Sequence, residues 1–270
     1  MARTPKLPAP PLPAALKAPP PRPGEANGKL TPADHAKEAG ASVVDWVDER
    51  TSLSGGARWL MFRKVPKGTN WFYTLGSATM FAFLSQAVTG VFLAMFYKPD
   101  PSGGAYESIR HVTNDVFLGQ FVRGMHKWGS SVMVILIFLH MGRTFFFGAY
   151  KYPRELNWVI GVVLLILTMA MAFTGYLLPF DQQSYWATIV GVNLNGTAPF
   201  LGPYLSDFLR AGPEFGATTL SRFYAIHMML IPGLIAALIG AHLYLITKLG
   251  ISAPPWIKAE EEPELREAQV

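Results

Sequence analysis

The chain has 270 residues, of which 50% are hydrophobic, 13% aromatic and only 15% charged. Soluble domains carry about 25% charged residues, so this composition indicates a membrane protein. Cysteine is absent, which excludes disulfides, cysteine-ligated iron–sulfur clusters and thioether attachment of a cofactor. We interpret the net charge of +5 as basic residues at the cytoplasmic ends of membrane spans, and we expect no nucleic-acid partner.

Both ends of the chain have the composition of tails. Residues 1–40 are rich in proline and alanine and bury too little apolar surface to order, so we predict a disordered tail there. Residues 43–50 (VVDWVDER) combine apolar and charged side chains at helical spacing, which predicts a short helix on the membrane surface. A membrane domain is predicted over 41–256 and an acidic tail over 257–270.

Four hydrophobic stretches follow the surface helix, at about 71–97, 121–147, 158–178 and 223–249. Each is long enough to cross a hydrocarbon core of ~30 Å at ~1.5 Å per residue. Basic residues cluster before the first stretch and between the second and third, so the positive-inside rule predicts cytoplasmic termini. The predicted fold class is an all-α membrane bundle of four transmembrane helices, with an N-terminal surface helix and further surface helices on the outer side.

Four of the six histidines lie in two of these spans. His126 and His140 are 14 residues apart on the second span, and His227 and His242 are 15 apart on the fourth. These separations place each pair ~21–22 Å apart along its helix and within ~40–60° of one face. The two helices run in the same direction, because an even number of connections separates them. The spacing therefore predicts an outer and an inner level, each with two facing imidazoles.

Two imidazoles at one level match the axial ligands of a haem iron, and an iron saturated in this way suits electron transfer rather than oxygen binding. A single histidine in a span is as readily a helix–helix hydrogen bond or a proton relay. Zinc is disfavoured because each level offers only two nitrogen ligands. We therefore predict two haem b groups stacked in the bundle, with the four histidines as iron ligands.

The two spans without histidines repeat the same spacing in glycine. Gly76 and Gly90 are 14 apart on the first span, as are Gly161 and Gly175 on the third. A flat cofactor needs neighbouring backbones to approach without a Cβ between them. The alternative is ordinary helix–helix contact through small residues.

Two arginines lie one turn from a histidine of the second span. Arg123 precedes His126 by three residues and Arg143 follows His140 by three, so each shares a helix face with that histidine. Haem propionates need cationic partners at the membrane edge, and both arginines are candidates for that role. Their alternative is interfacial snorkelling of a long charged side chain.

Several ordered motifs resemble one known family. They are VVDWVDER, SQAVTGVFLAMFY, RGMHKWGSSVMVILIFLH, PRELNWVIGVVL, FTGYLLP, TTLSRFYAIHMMLIP and KLGISAPP, and they run from about 43 to 254. The chain resembles the N-terminal, haem-binding half of cytochrome b from quinol-oxidising bc and b6f complexes, and most of all the split form, cytochrome b6. The 15-residue spacing between the two histidines of the fourth span also resembles the spacing in the b6-like branch of the family.

The resemblance implies specific roles for the four histidines. His126 and His227 would hold a low-potential haem near the outer face, and His140 and His242 a high-potential haem near the inner face. Quinol would be oxidised at an outer site, and one electron would pass through both haems to quinone at an inner site, with proton translocation. In that family a cysteine attaches an additional haem. Here Thr74 occupies its position, so no covalent haem is expected.

The resemblance also implies quinone sites. Phe173, Tyr176 and Leu178 are candidates for the outer site, together with the adjoining PFDQQSYW stretch; for the two aromatic residues the alternative is packing and anchoring at the end of a span. Thr247, Lys248 and Asp45 are candidates for the inner site, where the alternative is ordinary charge at a helix end.

The family's Pro-Glu-Trp-Tyr motif is missing from this sequence, so a subunit IV-like protein is expected to complete the outer site. A Rieske iron–sulfur protein, a c-type cytochrome or other acceptor, and a dimeric complex are the further expected partners. The expected location is the plasma membrane of a prokaryote.

The sequence thus predicts a dihaem cytochrome b subunit that is not active alone. One alternative is a four-span dihaem anchor that passes electrons from a dehydrogenase to quinone. Another is a transporter with a histidine proton relay.

Overall fold

The computed structural model describes residues 32–51, 66 and 68–256, and the chain divides into two compact units, 1–63 and 64–270. The first unit contains helix α1, Pro32–Thr51. Residues 32–40, assigned to the tail from their composition, form the beginning of this helix, and Pro32 suits its first turn because its φ is fixed at a helical value. The rest of the predicted tail, the acidic tail and the basic residues before the first span lie outside the described residues.

The regular elements in the described part of the second unit are all helical. That part begins with a 3₁₀ turn and ends with an apolar helix. Its elements are the 3₁₀ turn Trp71–Thr74, α2 Leu75–Ala94, α3 Gly104–Asn114, α4 Gly119–Phe146, α5 Glu155–Tyr176, α6 Gln182–Gly196, α7 Gly202–Arg210, α8 Ala217–Ala225, a π turn Ile226–Leu230 and α9 Ile231–Leu249.

Four of these segments are long and apolar enough to cross a membrane. The first span is Trp71–Ala94, the second Gly119–Phe146, the third Glu155–Tyr176 and the fourth Ala217–Leu249. The predicted bundle of four transmembrane helices is therefore confirmed. The fourth span begins six residues before its predicted start, because the polar segment ATTLSR continues the helix outward.

The spans pack as two pairs, the first against the second and the third against the fourth. Few side chains are buried: Ala82, Met133 and Ile137 form one small core, and Ile226, Ile231 and Ile235 form another. Large apolar side chains instead point outward along every span. Such exposure is expected of helices whose outer faces meet lipid rather than water.

The connections that were predicted to lie outside contain helices of their own. Asp181 caps α6 by accepting a hydrogen bond from the Ser184 amide at 2.8 Å, and α7 has a proline in its first turn. A buried cluster joins these helices to the ends of the spans, and its members are Ala105, Leu177, Val192, Leu209, Leu220 and Phe223. Helix α3 was not predicted, because it has only 11 residues and few of them are apolar.

The π turn in the fourth span has a local cause. Pro232 lies at the first turn of α9 and cannot donate the hydrogen bond of a continuous α-helix. The Ile231 amide donates to the Ile226 carbonyl instead, five residues back. A π turn holds one residue more than an α turn. The π turn therefore accommodates the extra residue between His227 and His242. As a result, these two side chains have the same rotational offset around their helix as the 14-residue pair on the second span.

Candidate functional site

The outer level brings together one histidine from the second span and one from the fourth. The ring centroids of His126 and His227 are 6.4 Å apart, and the ring planes cross at 77°. His227 lies inside the π turn and is buried. The two side chains face each other across the bundle, as the spacing predicted.

The inner level repeats this arrangement. The ring centroids of His140 and His242 are 6.5 Å apart, and their planes cross at 78°. Two pairs with nearly the same separation and angle therefore lie about 21 Å apart along the helices, from ~1.5 Å per residue. Neither pair is close enough for its imidazoles to hydrogen-bond to each other.

The separation fits a single metal between two imidazoles. An imidazole nitrogen binds a transition metal at about 2 Å and lies about 1.15 Å from its ring centre, which gives about 6.3 Å between centroids. Among the described residues, no group of three or more His, Cys, Asp or Glu side chains is placed to hold a metal. The donor set is therefore two nitrogens per level, which would suit a metal that is held mainly by a ligand of its own, as the iron of a haem is.

Each of the four predicted glycines lies against one of the four histidines. A Cβ on Gly90 would come within 3.2 Å of His126 Cε1, and a Cβ on Gly76 within 3.1 Å of His140 Cε1. Gly175 is tighter, since a Cβ there would lie 2.9 Å from His227 Nδ1.

Gly161 has the most room, because its Cβ would lie 3.7 Å from His242 Cε1, an ordinary contact. At all four glycines, the atoms nearest to an added Cβ thus belong to an imidazole. Their geometry lets each ring lie directly on the backbone of the neighbouring span.

Hydrogen bonds to the imidazoles differ between the levels. At the outer level, His126 Nδ1 is 2.9 Å from the Thr89 hydroxyl, and His227 Nδ1 is 3.0 Å from the Met171 carbonyl and 3.4 Å from the Thr174 hydroxyl. At the inner level, His242 Nδ1 is buried without a partner in the described part of the chain. The Asn157 carbonyl faces it outside hydrogen-bonding geometry.

A cavity opens at each level. The outer cavity has a volume of about 160 Å³ and is lined by His126, His227 and the face of Gly90. The inner cavity measures about 430 Å³ and is lined by His140 and His242, with Gly76, Gly161 and polar side chains at its edge. Apolar walls with a few polar groups at one rim match a flat, mostly hydrophobic ligand that carries charged substituents.

Arg143 is the most prominent of those polar groups. Its guanidinium lies 3.7 Å from the centre of the Tyr73 ring, and its Nε and Nη2 are buried without a hydrogen-bond partner among the described residues. The Asn157 Oδ1 and Ser252 Oγ atoms of the same cavity are likewise unpartnered there. Buried donors and acceptors without partners at this cavity fit a ligand with polar ends.

Arg123 does not share this position, since it lines neither cavity. Of the two predicted propionate partners, the structure therefore brings only Arg143 to the edge of a histidine level.

Five residues of these sites are not among the candidates predicted from the sequence: Tyr73, Thr89, Asn157, Thr174 and Ser252. For three of them, the sequence position relative to a predicted glycine could have indicated a place in the site. Thr89 and Thr174 form the same Thr-Gly dipeptide with the two outer-level glycines, and Asn157 precedes Gly161 by one helical turn and so shares its face. Tyr73 and Ser252 come from irregular segments, for which helical periodicity gives no direction.

The candidates for the outer quinone site lie around the end of the third span. Phe173 packs against Phe223 with ring centroids 5.7 Å apart, and Leu178 accepts a hydrogen bond from the Tyr97 hydroxyl at 2.6 Å. Tyr176 is exposed. Neither of the two cavities is lined by Phe173, Tyr176 or Leu178.

Two of the candidates for the inner quinone site, Thr247 and Lys248, lie outside the inner cavity. Lys248 is exposed with its Nζ 5.7 Å from the Tyr244 ring centre, and Thr247 donates to the Tyr244 carbonyl at 2.7 Å. Asp45 is exposed on α1, in the other unit of the chain.

The fold and the paired histidines together define a multi-pass membrane protein with two levels of facing histidines. Residues 60–250 match the family model described as cytochrome b/b6/petB. The chain belongs to the cytochrome b/b6 family, whose members bind haem.

Relatives cover most of the chain. Cytochrome b6 of Heliobacterium modesticaldum is 44% identical over 213 residues, which are 78% of this chain and 100% of the relative. The menaquinol:cytochrome c reductase cytochrome b subunit of Geobacillus thermodenitrificans is 42% identical over 220 residues, 78% of this chain and 98% of the relative.

A solved structure described as a hyperthermophilic respiratory Complex III gives a TM-score of 0.73 at 30% identity. The match covers 81% of this chain and 58% of the solved one, so the chain spans little more than half of that protein. The predicted family and the predicted function, the cytochrome b subunit of a bc-type quinol oxidoreductase complex, are confirmed. The two alternatives weighed on the sequence, an anchor for a dehydrogenase and a transporter, are not supported.

Proposed function

We propose that the chain holds two haem b groups, one between His126 and His227 and one between His140 and His242. The observation that carries this proposal is the pair of centroid separations, 6.4 and 6.5 Å, each of which would admit one metal between two imidazoles. The family's haem-binding character supports it. With Thr74 at the position of the family's cysteine, the four histidines would be the only protein ligands to iron.

Haem supplies reversible one-electron transfer when it is bound. The histidines would orient the two groups at fixed depths, and the bundle would exclude water from them. Arg143 would neutralise an anionic haem edge at the inner level, since its buried Nε and Nη2 carry N–H groups without a partner among the described residues. The glycines would let the imidazoles reach their positions without displacing the neighbouring helix.

We further propose that electrons enter at an outer quinol site, near Phe173, Tyr176 and Leu178, and leave at an inner quinone site. The printed name of the Geobacillus relative supports menaquinol as donor and a c-type cytochrome as final acceptor in a bacterial respiratory chain. A subunit IV-like protein, a Rieske protein and a second copy of the complex are the proposed partners. The N- and C-termini would be cytoplasmic, with protons released on the other side.

A spectrum and a haem count test the haem proposal. The purified complex is expected to show b-type absorbance in a reduced-minus-oxidised spectrum and two extractable haems per chain. His227→Leu should remove the outer haem and leave one, and His242→Leu should remove the inner one.

His111→Leu is the matched control. His111 is exposed and paired with Asp115 at 3.0 Å, outside both cavities, so this variant should retain two haems. Absence of b-type absorbance, or two haems with unchanged potentials in His227→Leu, contradicts the proposed ligation.

A further inference from the structure

Two threonines occupy equivalent places at the outer level. Thr89 precedes Gly90 on the first span, and Thr174 precedes Gly175 on the third. At the inner level the residues before the glycines are Leu75 and Ile160, which have no hydroxyl. A threonine–glycine dipeptide therefore marks both walls of the outer level and neither wall of the inner one.

Both threonine side chains are buried, at 6% and 3% exposure. The Thr89 hydroxyl donates to the Ser85 carbonyl at 2.7 Å, and the Thr174 hydroxyl donates to the Ala170 carbonyl at 3.0 Å. Such a bond back to the preceding turn is ordinary for threonine in an apolar helix. It uses the hydroxyl hydrogen and leaves the oxygen free to accept.

The threonine hydroxyl oxygens are therefore the acceptors in the hydrogen bonds with the histidines. His126 Nδ1 lies 2.9 Å from Thr89 Oγ1, and His227 Nδ1 lies 3.4 Å from Thr174 Oγ1 and 3.0 Å from the Met171 carbonyl. Because every one of these partners accepts, Nδ1 must carry the proton in both rings. Nε2 is then left unprotonated, which is the form that binds a metal.

The inner level lacks these bonds. His242 Nδ1 is buried without a partner, and no hydrogen bond reaches a ring nitrogen of His140, within the residues that the structure describes. A hydrogen bond donated by the second nitrogen of an imidazole raises the basicity of the first. An electron-rich ligand stabilises ferric over ferrous iron, so hydrogen bonding of this kind lowers the reduction potential of a haem.

We propose that Thr89 and Thr174 are positioning residues that lower the potential of the outer haem relative to the inner one. Their hydroxyl oxygens accept the Nδ1 protons of the outer histidines, and the inner histidines have no hydroxyl at the corresponding positions. The difference favours electron movement from the outer level to the inner level. This inference rests on the proposed haem ligation and adds the residues that make the two levels unequal.

A spectroscopic redox titration of the purified complex tests the inference. Thr89→Val should raise the potential of the outer haem, with the ferric-to-ferrous equilibrium changing on the order of tenfold, a typical effect of an outer-shell partner. Tenfold corresponds to 59 mV for a one-electron couple. Thr174→Val should give a smaller shift in the same direction, because the Met171 carbonyl still accepts from His227. The inner haem should be unaffected in both variants.

Two further variants separate a hydroxyl effect from a packing effect. Thr89→Ser keeps the hydroxyl and should keep the potential, which a merely steric role would not predict. Thr188→Val removes another buried hydroxyl, which donates to the Ser184 carbonyl at 2.8 Å away from both cavities, and should change neither potential.

Unchanged outer potential in Thr89→Val with two haems bound overturns the inference and leaves the proposed ligation intact. If Thr89→Val loses the outer haem, Thr174→Val decides by its potential: an upward shift supports the inference and no shift overturns it. Absence of haem from the unmodified complex would instead contradict the proposed function.

Discussion

The outer and inner levels present the same two imidazoles in different surroundings. At the outer level the ring nitrogens are already engaged, by Thr89 at 2.9 Å and the Met171 carbonyl at 3.0 Å, around a cavity of about 160 Å³. At the inner level the cavity is about 430 Å³, His242 Nδ1 has no partner in the described chain, and a buried guanidinium faces inward. One fold thus places two similar histidine pairs in unequal electrostatic settings, and the proposed transfer of electrons from the outer haem to the inner one would use that inequality.

The largest expected effect comes from adding one methyl group at the tight outer wall. Gly175→Ala places a Cβ 2.9 Å from His227 Nδ1, which forces the imidazole off its axis. We expect loss of the outer haem, measured as a fall from two haems to one per chain.

Gly161→Ala is the matched control at the inner level, because its Cβ would meet His242 at an ordinary 3.7 Å. Two haems should remain in that variant. Equal haem loss in both variants would contradict the expected difference between the tight contact at Gly175 and the loose contact at Gly161.

A deletion in the π turn should be tolerated where a deletion in a regular helix is not. Removing Met229, which is 76% exposed, shortens the spacing between His227 and His242 to 14 and restores an α-helix in the same phase. Removing Ile135, also exposed, rotates His140 by ~100° relative to His126 because the second span has no π turn to absorb the change.

Haem content and the two potentials provide the measurement. We expect two haems without Met229 and one without Ile135. Haem loss in both deletions would show that the π turn does not set the phase of the fourth span.

A smaller effect is expected from the buried inner arginine. Arg143→Gln removes the guanidinium that lies against Tyr73, and should weaken retention of the inner haem by about 1.5–3 kcal/mol, the range for hydrogen bonds to a charged group. The potential of the inner haem should also fall, since a buried cation favours the reduced form.

Arg123→Gln is the counterpart outside both cavities and should leave haem content and potentials unchanged. A fall in the outer potential in that variant would instead assign Arg123 to the outer haem.

The smallest expected effect concerns the protein packing beyond the outer level. Tyr97→Phe removes the hydroxyl that donates to the Leu178 carbonyl at 2.6 Å and should cost about 1 kcal/mol, measured as a lower thermal midpoint with both haems retained. Burial raises the pKa of Tyr97 above its usual value of 10.0.

The neutral form of Tyr97 is therefore the one that folding favours. Its contribution should be complete below pH 10 and be lost as the pH rises beyond that. A midpoint for Tyr97→Phe that equals the unmodified one below pH 10 would contradict this role.

The sequence alone determined the membrane class, the number of spans and the two histidine levels. Hydrophobic runs and a helical repeat of ~3.6 residues are local properties, and they specify which residues share a face and a depth. His126, His140, His227 and His242 could therefore be grouped before any contact was known, and the glycines of the other two spans with them.

Only the tertiary structure decided what each of these faces meets. Helical phase does not say that Gly175 is tight and Gly161 loose, that Arg143 reaches a cavity and Arg123 does not, or that Thr89 lies within 2.9 Å of His126. Those outcomes depend on how close two helices pack and how each is rotated. The π turn before Pro232 changes that rotation in the fourth span by a single residue.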